Sequence, residues 1–415
     1  MPEDRSGGRP GGRLDHRFPP VEPDGSGLAG VDAGGMTVHV RHEPSGEPAG
    51  ETIGFRAADF GSLDALLHHC LTMIGRMPRI LVAGVAGQPR PNGDVRVTNR
   101  PDWPVFRRDR FAATYGIQVE TVNDMEATVA GVGELDETGY QRLTPVAATD
   151  VGETAGGRAR LVVAVDSGVG VGHLDPHGRP HGTEGGHIPW QPRTRRESDY
   201  LAWLRALRTG PRDPAPATVP GPHASPPTPA TRPTSATTPA AAAPAPSGTP
   251  VPSGVPGAVS VEESISGSRG FTHLYDFVAL SIDPAPLLAA GVERARSERL
   301  GIAPLVIAGA LAGDEFCVQV MRLFGGILGQ FLRSMALVTL GRGGSVWLCG
   351  SVLRSPGVAD FLMADGCLMA AFRPAGAEHA DLMDEIPIHL VHDREIGVRG
   401  ALALGRSRFQ STGRH

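Results

Sequence analysis

The chain has 415 residues, long enough for two ordinary domains with their own cores, and carries 56 Gly and 38 Pro against few aromatics. Its 39 Lys plus Arg and 44 Asp plus Glu leave a formal charge of -5, which excludes a bulk attraction to nucleic acid or to an anionic membrane. No basic start leads into an apolar leader and no run of about 18 apolar residues occurs, so secreted and membrane-spanning classes are not expected. The cysteines Cys70, Cys317, Cys349 and Cys367 form no CxxC pair, which fits a reducing compartment and buried thiols rather than a zinc site or a disulfide framework.

Residues 1–27 are rich in Gly, Pro and Arg without apolar periodicity and are expected to be a disordered tail. Ala29 to Arg41 reads as a hairpin turning at Gly34-Gly35, with Met36, Val38 and Val40 on one face. Leu63, Leu66, Leu67, Leu71 and Ile74 mark an amphipathic helix. Arg79–Gly84 and Gln118–Val122 follow as apolar strands, the second ending at Asn123-Asp124 with a helix opening at Met125. Leu161–Val165 is another strand, ending in Asp166-Ser167-Gly168-Val169-Gly170. Residues 209–258 are rich in Pro, Ala and Thr with no aromatic, too poor in apolar side chains to offset ordering, and read as a disordered surface insertion. Beyond it come helices at Gly270–Leu280 and Phe316–Val338, then strands at Ser345–Gly350 and Ile386–Val391. Strands that keep ending in polar or glycine-rich turns predict an α/β protein with ligands held beyond the strand ends.

Four polar constellations stand at those ends. Asp32-Ala33-Gly34-Gly35-Met36-Thr37 is either an ordinary hairpin turn or a backbone cradle for phosphate, with Asp32 holding a metal ion and Thr37 donating a hydroxyl. Asn123-Asp124 either caps a helix or activates an alcohol, the aspartate taking the proton and the asparagine fixing a neighbouring hydroxyl. Asp166 to Gly170 repeats the glycine turn. Glu184-Gly185-Gly186-His187, with Glu262, suits a metal, vicinal sugar hydroxyls or a solvated turn. Two glycine turns would clamp a polyphosphate from both sides, the positioning that phosphoryl transfer needs. Neither GxxxxGK[ST] nor the HRD/DFG set is present.

The order of motifs resembles that of the bacterial glucokinase family, the group without a cysteine-rich zinc motif, within the hexokinase–actin–Hsp70 superfamily. The resemblance runs from about Ala29 to Ala403 and is carried by VTNRPDW (Val97–Trp103), VETVNDMEA (Val119–Ala127), VDSGVGVGHL (Val165–Leu174) and GTEGGHIPW (Gly182–Trp190). Beyond the insertion it continues in VSVEESISGSRG (Val259–Gly270), VQVMRLFGGILGQF (Val318–Phe331) and IPIHLVHDREIGVRGA (Ile386–Ala401). It implies an actin-like (ribonuclease H-like) fold, two α/β domains around a central cleft. The small domain would span 28–134, completed by about 388–411, and the large one 135–387. It implies a cytoplasmic glucokinase, often a homodimer, using ATP and Mg2+. Asp124 would be the general base for the 6-hydroxyl of glucose or a related hexose; Asn99, Asn123, Glu184, His187 and Glu262 would line the sugar cleft. Asp32, Gly34, Gly35 and Thr37 would form the first phosphate turn, with Mg2+ at Asp32 directly or through water. Ser167, Gly168 and Gly170 would form the second phosphate turn, and Gly350 and Ser351 the turn near adenosine.

The departures from the family pattern lie on the nucleotide side. Met36 replaces the usual threonine, Asp166 the first glycine of G-T-G, and Ser351 the second glycine of a G-G pair. A thioether donates no hydrogen bond to phosphate. Two readings follow: an active hexose kinase, or a sugar-binding relative with weak or no transfer.

Overall fold

A computed structural model describes residues 27–144, 158–209, 258–341 and 343–410. The expected tail (Gly27 apart) and the expected insertion (its two end residues apart) lie outside the described residues. In chain order the first part supplies β1 (Leu28–Ala33), β2 (Thr37–Glu43), β3 (Ile53–Arg56), α1 (Leu63–Ile74), β4 (Ile80–Val85), α2 (Arg108–Tyr115), β5 (Gln118–Asn123) and α3 (Asp124–Gly133). The hairpin turns at Gly34-Gly35 as its sequence predicts, and α1 runs from a Ser62 cap, whose Oγ accepts from the Ala65 N–H at 3.1 Å, to Gly75 in the left-handed region.

The second part holds β6 (Tyr140–Arg142), β7 (Arg160–Val165), β8 (Val169–Leu174), β9 (Pro180–Thr183), α4 (Arg195–Thr209), α5 (Val261–Ile265), α6 (Arg269–Val278), α7 (Pro286–Ser297) and α8 (Ala303–Leu311). There follow α9 (Glu315–Thr339), β10 (Ser345–Cys349), α10 (Val358–Asp365), α11 (Cys367–Phe372), α12 (Ala380–Glu385), β11 (Ile388–Val391) and α13 (Ile396–Gln410).

The two sheets repeat one plan. The first has the order β3-β2-β1-β4-β5 and the second β6-β11-β10-β7-β8-β9. In each, an antiparallel meander is followed by two parallel strands: β1 pairs β2 antiparallel and β4 parallel, as β7 pairs β8 and β10. The turns β1–β2 and β7–β8 are thus equivalent points of the two sheets.

Between the sheets lie α3 and α13. Met125, Val129 and Val132 of α3 pack on Val162, Leu174, Trp347 and Cys349 of the second sheet. Ala127 and Ala130, on its other side, pack with Val82 and Val122 of the first sheet and with Ala401, Leu402 and Leu404 of α13. A helix buried on two faces has its position fixed by both sheets. The larger core surrounds α9, whose Phe324, Phe331 and Leu328 are buried against α6, α8 and α11.

The small-domain boundary needs one correction. Ile388–Val391, expected to rejoin the first domain, is β11, bonded to β10 and β6 in the second sheet; the chain returns to the first sheet only with α13. Its four buried residues serve as a central strand, and a parallel strand is placed by its neighbours rather than by its order in sequence. All four cysteines are free, as expected, and burial pushes their thiols up, to about 12 for Cys317, Cys349 and Cys367. Among the described residues no single helix is long and apolar enough to cross a membrane; α8 and α9 reach that composition only as a pair bent by 112°.

Where α13 crosses α3, a methyl group on Gly400 would fall on the Ala127 carbonyl. Gly400→Ala gains roughly 1 kcal/mol of helix propensity but meets backbone that cannot yield, an overpacking cost of about 1–3 kcal/mol. The variant is expected to melt below the wild type in calorimetry; an unchanged or higher Tm would contradict this crossing.

Candidate active site

Asn123 closes β5 and caps α3. Its Oδ1 accepts from the Met125 N–H at 3.0 Å and its Nδ2 donates to the Gly87 carbonyl at 3.1 Å, with 5% of the residue exposed. Of the two uses the sequence leaves open, the structure shows the cap, which engages the amide oxygen and one amide N–H and positions Asp124; the amide's second N–H takes no part in these bonds. Asp124 follows as the first residue of α3, its Oδ1 accepting from the Met125 N–H at 2.9 Å.

The Asp124 carboxyl lies against the first glycine turn. A methyl group on Gly34 would land on Asp124 from Cβ to Oδ2, so only a residue without a side chain allows the approach. The Gly34 N–H donates to Asp32 Oδ1 at 3.2 Å, and its carbonyl accepts from Asn99 Nδ2 at 2.8 Å. One turn therefore brings Asp32, Asp124 and Asn99 together. Burial pushes the Asp124 carboxyl up to about 7, helped by the negative charges of Asp32 and Glu184 and opposed by the Met125 N–H. Asp32 is raised as well, chiefly by burial; the Gly34 N–H, His39 and Arg354 pull the other way and Asp166 adds to the rise.

On the second sheet, Glu184, His187 and Glu262 do meet. His187 Nε2 lies 3.4 Å from Glu184 Oε2 and 3.9 Å from Glu262 Oε2. The three come from the turn after β9 and from α5, and all keep exposed polar atoms, as groups that hydrogen-bond a polyol must. Among the described residues no group of three or more His, Cys, Asp or Glu is placed to hold a metal ion, so of the uses the sequence leaves open for this trio the metal one has no support here. Gln88 Nε2 also donates to Glu184 Oε1, at 3.4 Å. Gly87 and Gln88 carry no motif in the sequence, although like the other constellations they lie just beyond a strand end, at Val85 of β4.

The second glycine turn abuts the same cluster. Glu262 Oε2 accepts from the Val169 N–H at 3.4 Å, and a methyl group on Gly168 would press on the same carboxylate. The Ser167 carbonyl accepts from Ser268 Oγ. Asp166 Oδ1 accepts a short hydrogen bond from the Ser351 N–H, joining this turn to the one after β10. Gly350 there has φ +101°, and a side chain on it would collide with the Val165 backbone.

Three expected residues stand apart. Gly170 lies inside β8, where a methyl group would strike Met125 Sδ and Cγ, so its smallness serves the packing of α3. Thr37 is exposed at the start of β2, in register with Arg56. Met36, expected to share the buried face of Val38 and Val40, is 69% exposed: it belongs to the turn, where strand alternation does not apply.

The comparisons agree with this architecture. A family model described as Glucokinase matches residues 30–209 and 253–407. A glucokinase of Allorhizobium ampelinum is 25% identical over 362 residues, covering 86% of this chain and 85% of its own. One from Chelativorans sp. is 26% identical over 357 residues, 85% of this chain and 83% of its own. Among solved structures, glucokinase from an Antarctic psychrotroph aligns with a TM-score of 0.61 at 21% identity, covering 91% of this chain and 98% of that one. Glucokinase from Balamuthia mandrillaris in complex with glucose aligns at 0.63 and 16%, covering 92% and 94%. These structures share the fold: two α/β domains flanking a cleft.

The pKa of Asp124 has a consequence for stability. The folded value of about 7 lies above the ordinary 3.8, so the unfolded chain ionises first and stability falls as pH rises through that window. Asp124→Asn, which never ionises, should raise Tm more at about pH 8 than at about pH 5. An equal shift at both, or a lower Tm at the higher pH, would contradict a buried, raised carboxyl.

Proposed function

The chain belongs to the glucokinase family, and from that premise we propose that it transfers the γ-phosphoryl group of ATP to the 6-hydroxyl of glucose, with Asp124 as general base. The observation that carries this reading is the seat of Asp124, wedged against Gly34 of the first turn, near Glu184, and raised to about 7. A base poised near neutral pH is the kind that proton abstraction favours.

In this reading Glu184, His187 and Glu262 bind the sugar hydroxyls, while Asn99 ties its loop to the first turn. The 6-hydroxyl gives its proton to Asp124 Oδ as its oxygen bonds to the γ-phosphorus; the bond from that phosphorus to the bridging oxygen breaks, and ADP leaves with the electron pair. The N–H groups around Gly34-Gly35 and Ser167-Gly168 are suited to the phosphate oxygens. Asp32 is a desolvated carboxylate with one described hydrogen bond, a fit for Mg2+ held directly or through water. When bound, Mg2+ supplies charge neutralisation on the terminal phosphates. The division that goes with this is a small domain over 28–134 completed by α13 and a large domain over 135–391. Four free thiols suit work in the cytoplasm.

One observation favours the second reading, a sugar-binding relative with weak transfer: Met36, at the position where the family pattern it resembles has a threonine, turns its thioether to solvent. Turnover separates the two. With glucose, ATP and Mg2+ the wild type should release ADP at a rate that rises with pH through about 7. Asp124→Asn should cut kcat by roughly 100- to 10,000-fold while glucose still raises Tm. Stabilisation by glucose without turnover on glucose, mannose, fructose or N-acetylglucosamine would instead establish the second reading. Glu262→Gln should raise the KM for glucose about tenfold or more; an unchanged KM would remove Glu262 from the sugar site.

A further inference from the structure

The nucleotide side of the cleft is acidic. Asp32, Asp124 and Asp166 converge there from β1, α3 and the β7–β8 turn, a poor setting for a polyphosphate unless cations offset them. Met36 adds no donor. Arg354, which no motif singles out, sits on the turn after β10, which the Ser351–Asp166 hydrogen bond joins to the second glycine turn, and its positive charge favours the ionised forms of Asp32 and Cys349.

The backbone that carries Arg354 is fixed along its length. The Arg354 N–H donates to the Gly350 carbonyl at 3.0 Å and the Val352 N–H to the Val165 carbonyl at 3.1 Å. Ser355 Oγ donates to the Ser351 carbonyl at 2.9 Å, and Asp166 holds the Ser351 N–H. Asp166 is itself anchored, its carbonyl accepting from the Gly267 N–H at 2.7 Å. Yet no hydrogen bond or ion pair to a described residue engages the half-buried Arg354 guanidinium. A rigid mount with an uncommitted fork of five donors is matched to planar or tetrahedral oxyanions, phosphate above all.

We propose that Arg354 is the phosphate-gripping residue of this chain, its guanidinium binding the β- and γ-phosphate oxygens of a nucleoside triphosphate held between the Gly34, Ser167 and Gly350 turns. This rests on reading those turns as a nucleotide site. It gives Asp166 a purpose as well: the carboxylate that replaces a small residue in the second turn clamps the third turn and so aims Arg354. The donors absent at Met36 are supplied from the facing sheet.

The test is calorimetric titration of the full-length wild type, Arg354→Gln and Arg354→Lys with ATP, ADP, AMP and adenosine, all with Mg2+. Arg354→Gln should weaken ATP by roughly 10- to 100-fold, ADP by less, and AMP and adenosine not at all; Arg354→Lys should restore part of the loss. The glucose-induced rise in Tm should match the wild type in both variants. Equal weakening of all four ligands would show a structural role and overturn the proposal, as would ATP affinity unchanged in Arg354→Gln or no ATP binding by the wild type. The outcomes separate from those of the kinase reading. A wild type that binds ATP through Arg354 but phosphorylates no hexose refutes the transferase alone. A wild type that turns over, with Arg354→Gln keeping its KM for ATP, refutes the inference alone.

Discussion

The Asp124 carboxyl rests on the Cα of Gly34, and the cleft is organised around keeping that contact. A carboxylate placed there loses water and faces Asp32, so left to itself it would swing out or draw solvent in. Three things prevent this. Asn123 fixes the start of α3 and ties it to Gly87; Asn99 holds the Gly34 carbonyl; and α3 is packed on both faces. The stability lost at one buried charge is set against the burial of a whole helix, which supplies far more apolar contact than a single carboxyl withdraws.

The repeated sheet plan explains why two glycine turns face one space. Each sheet turns back on itself after its first strand, at Gly34-Gly35 and at Ser167-Gly168, and places parallel strands on the other side. With α3 and α13 between the sheets, the two turns oppose each other across the cleft, and Asp32 and Asp166 feel each other's charge. The sugar-side trio then hangs from the second sheet, one turn beyond β9 and one short helix, α5. Binding groups on loops over rigid sheets is a common division of labour in α/β proteins.

Much of this was legible in the residues, and the failures have physical causes. The hairpin, α1, β5 with α3, β7 and α9 follow from periodicity and turn chemistry, because each is long or strongly patterned. The short helices α10, α11 and α12 were not foreseen: six to eight residues carry too little period to register. The domain boundary near residue 388 does not follow from the residues, since the apolar run of β11 does not say which neighbours it meets. Met36 was carried along by the alternation of Val38 and Val40 into a turn where that rule lapses. Motif grammar brings Glu184, His187 and Glu262 together, as the structure does, but not Gln88, which meets Glu184 through tertiary approach alone. Gly170 fits the pattern of a phosphate turn and in fact makes room for Met125.

The most direct measurement is a crystal structure of the full chain with glucose and a non-hydrolysable ATP analogue. The sugar 6-oxygen should lie within roughly 3 Å of an Asp124 oxygen and about 3–3.5 Å from the γ-phosphorus, with the phosphates between the Gly34 and Ser167 turns. A glucose whose 6-hydroxyl points away from Asp124, or a triphosphate seated outside those two turns, would contradict this reading.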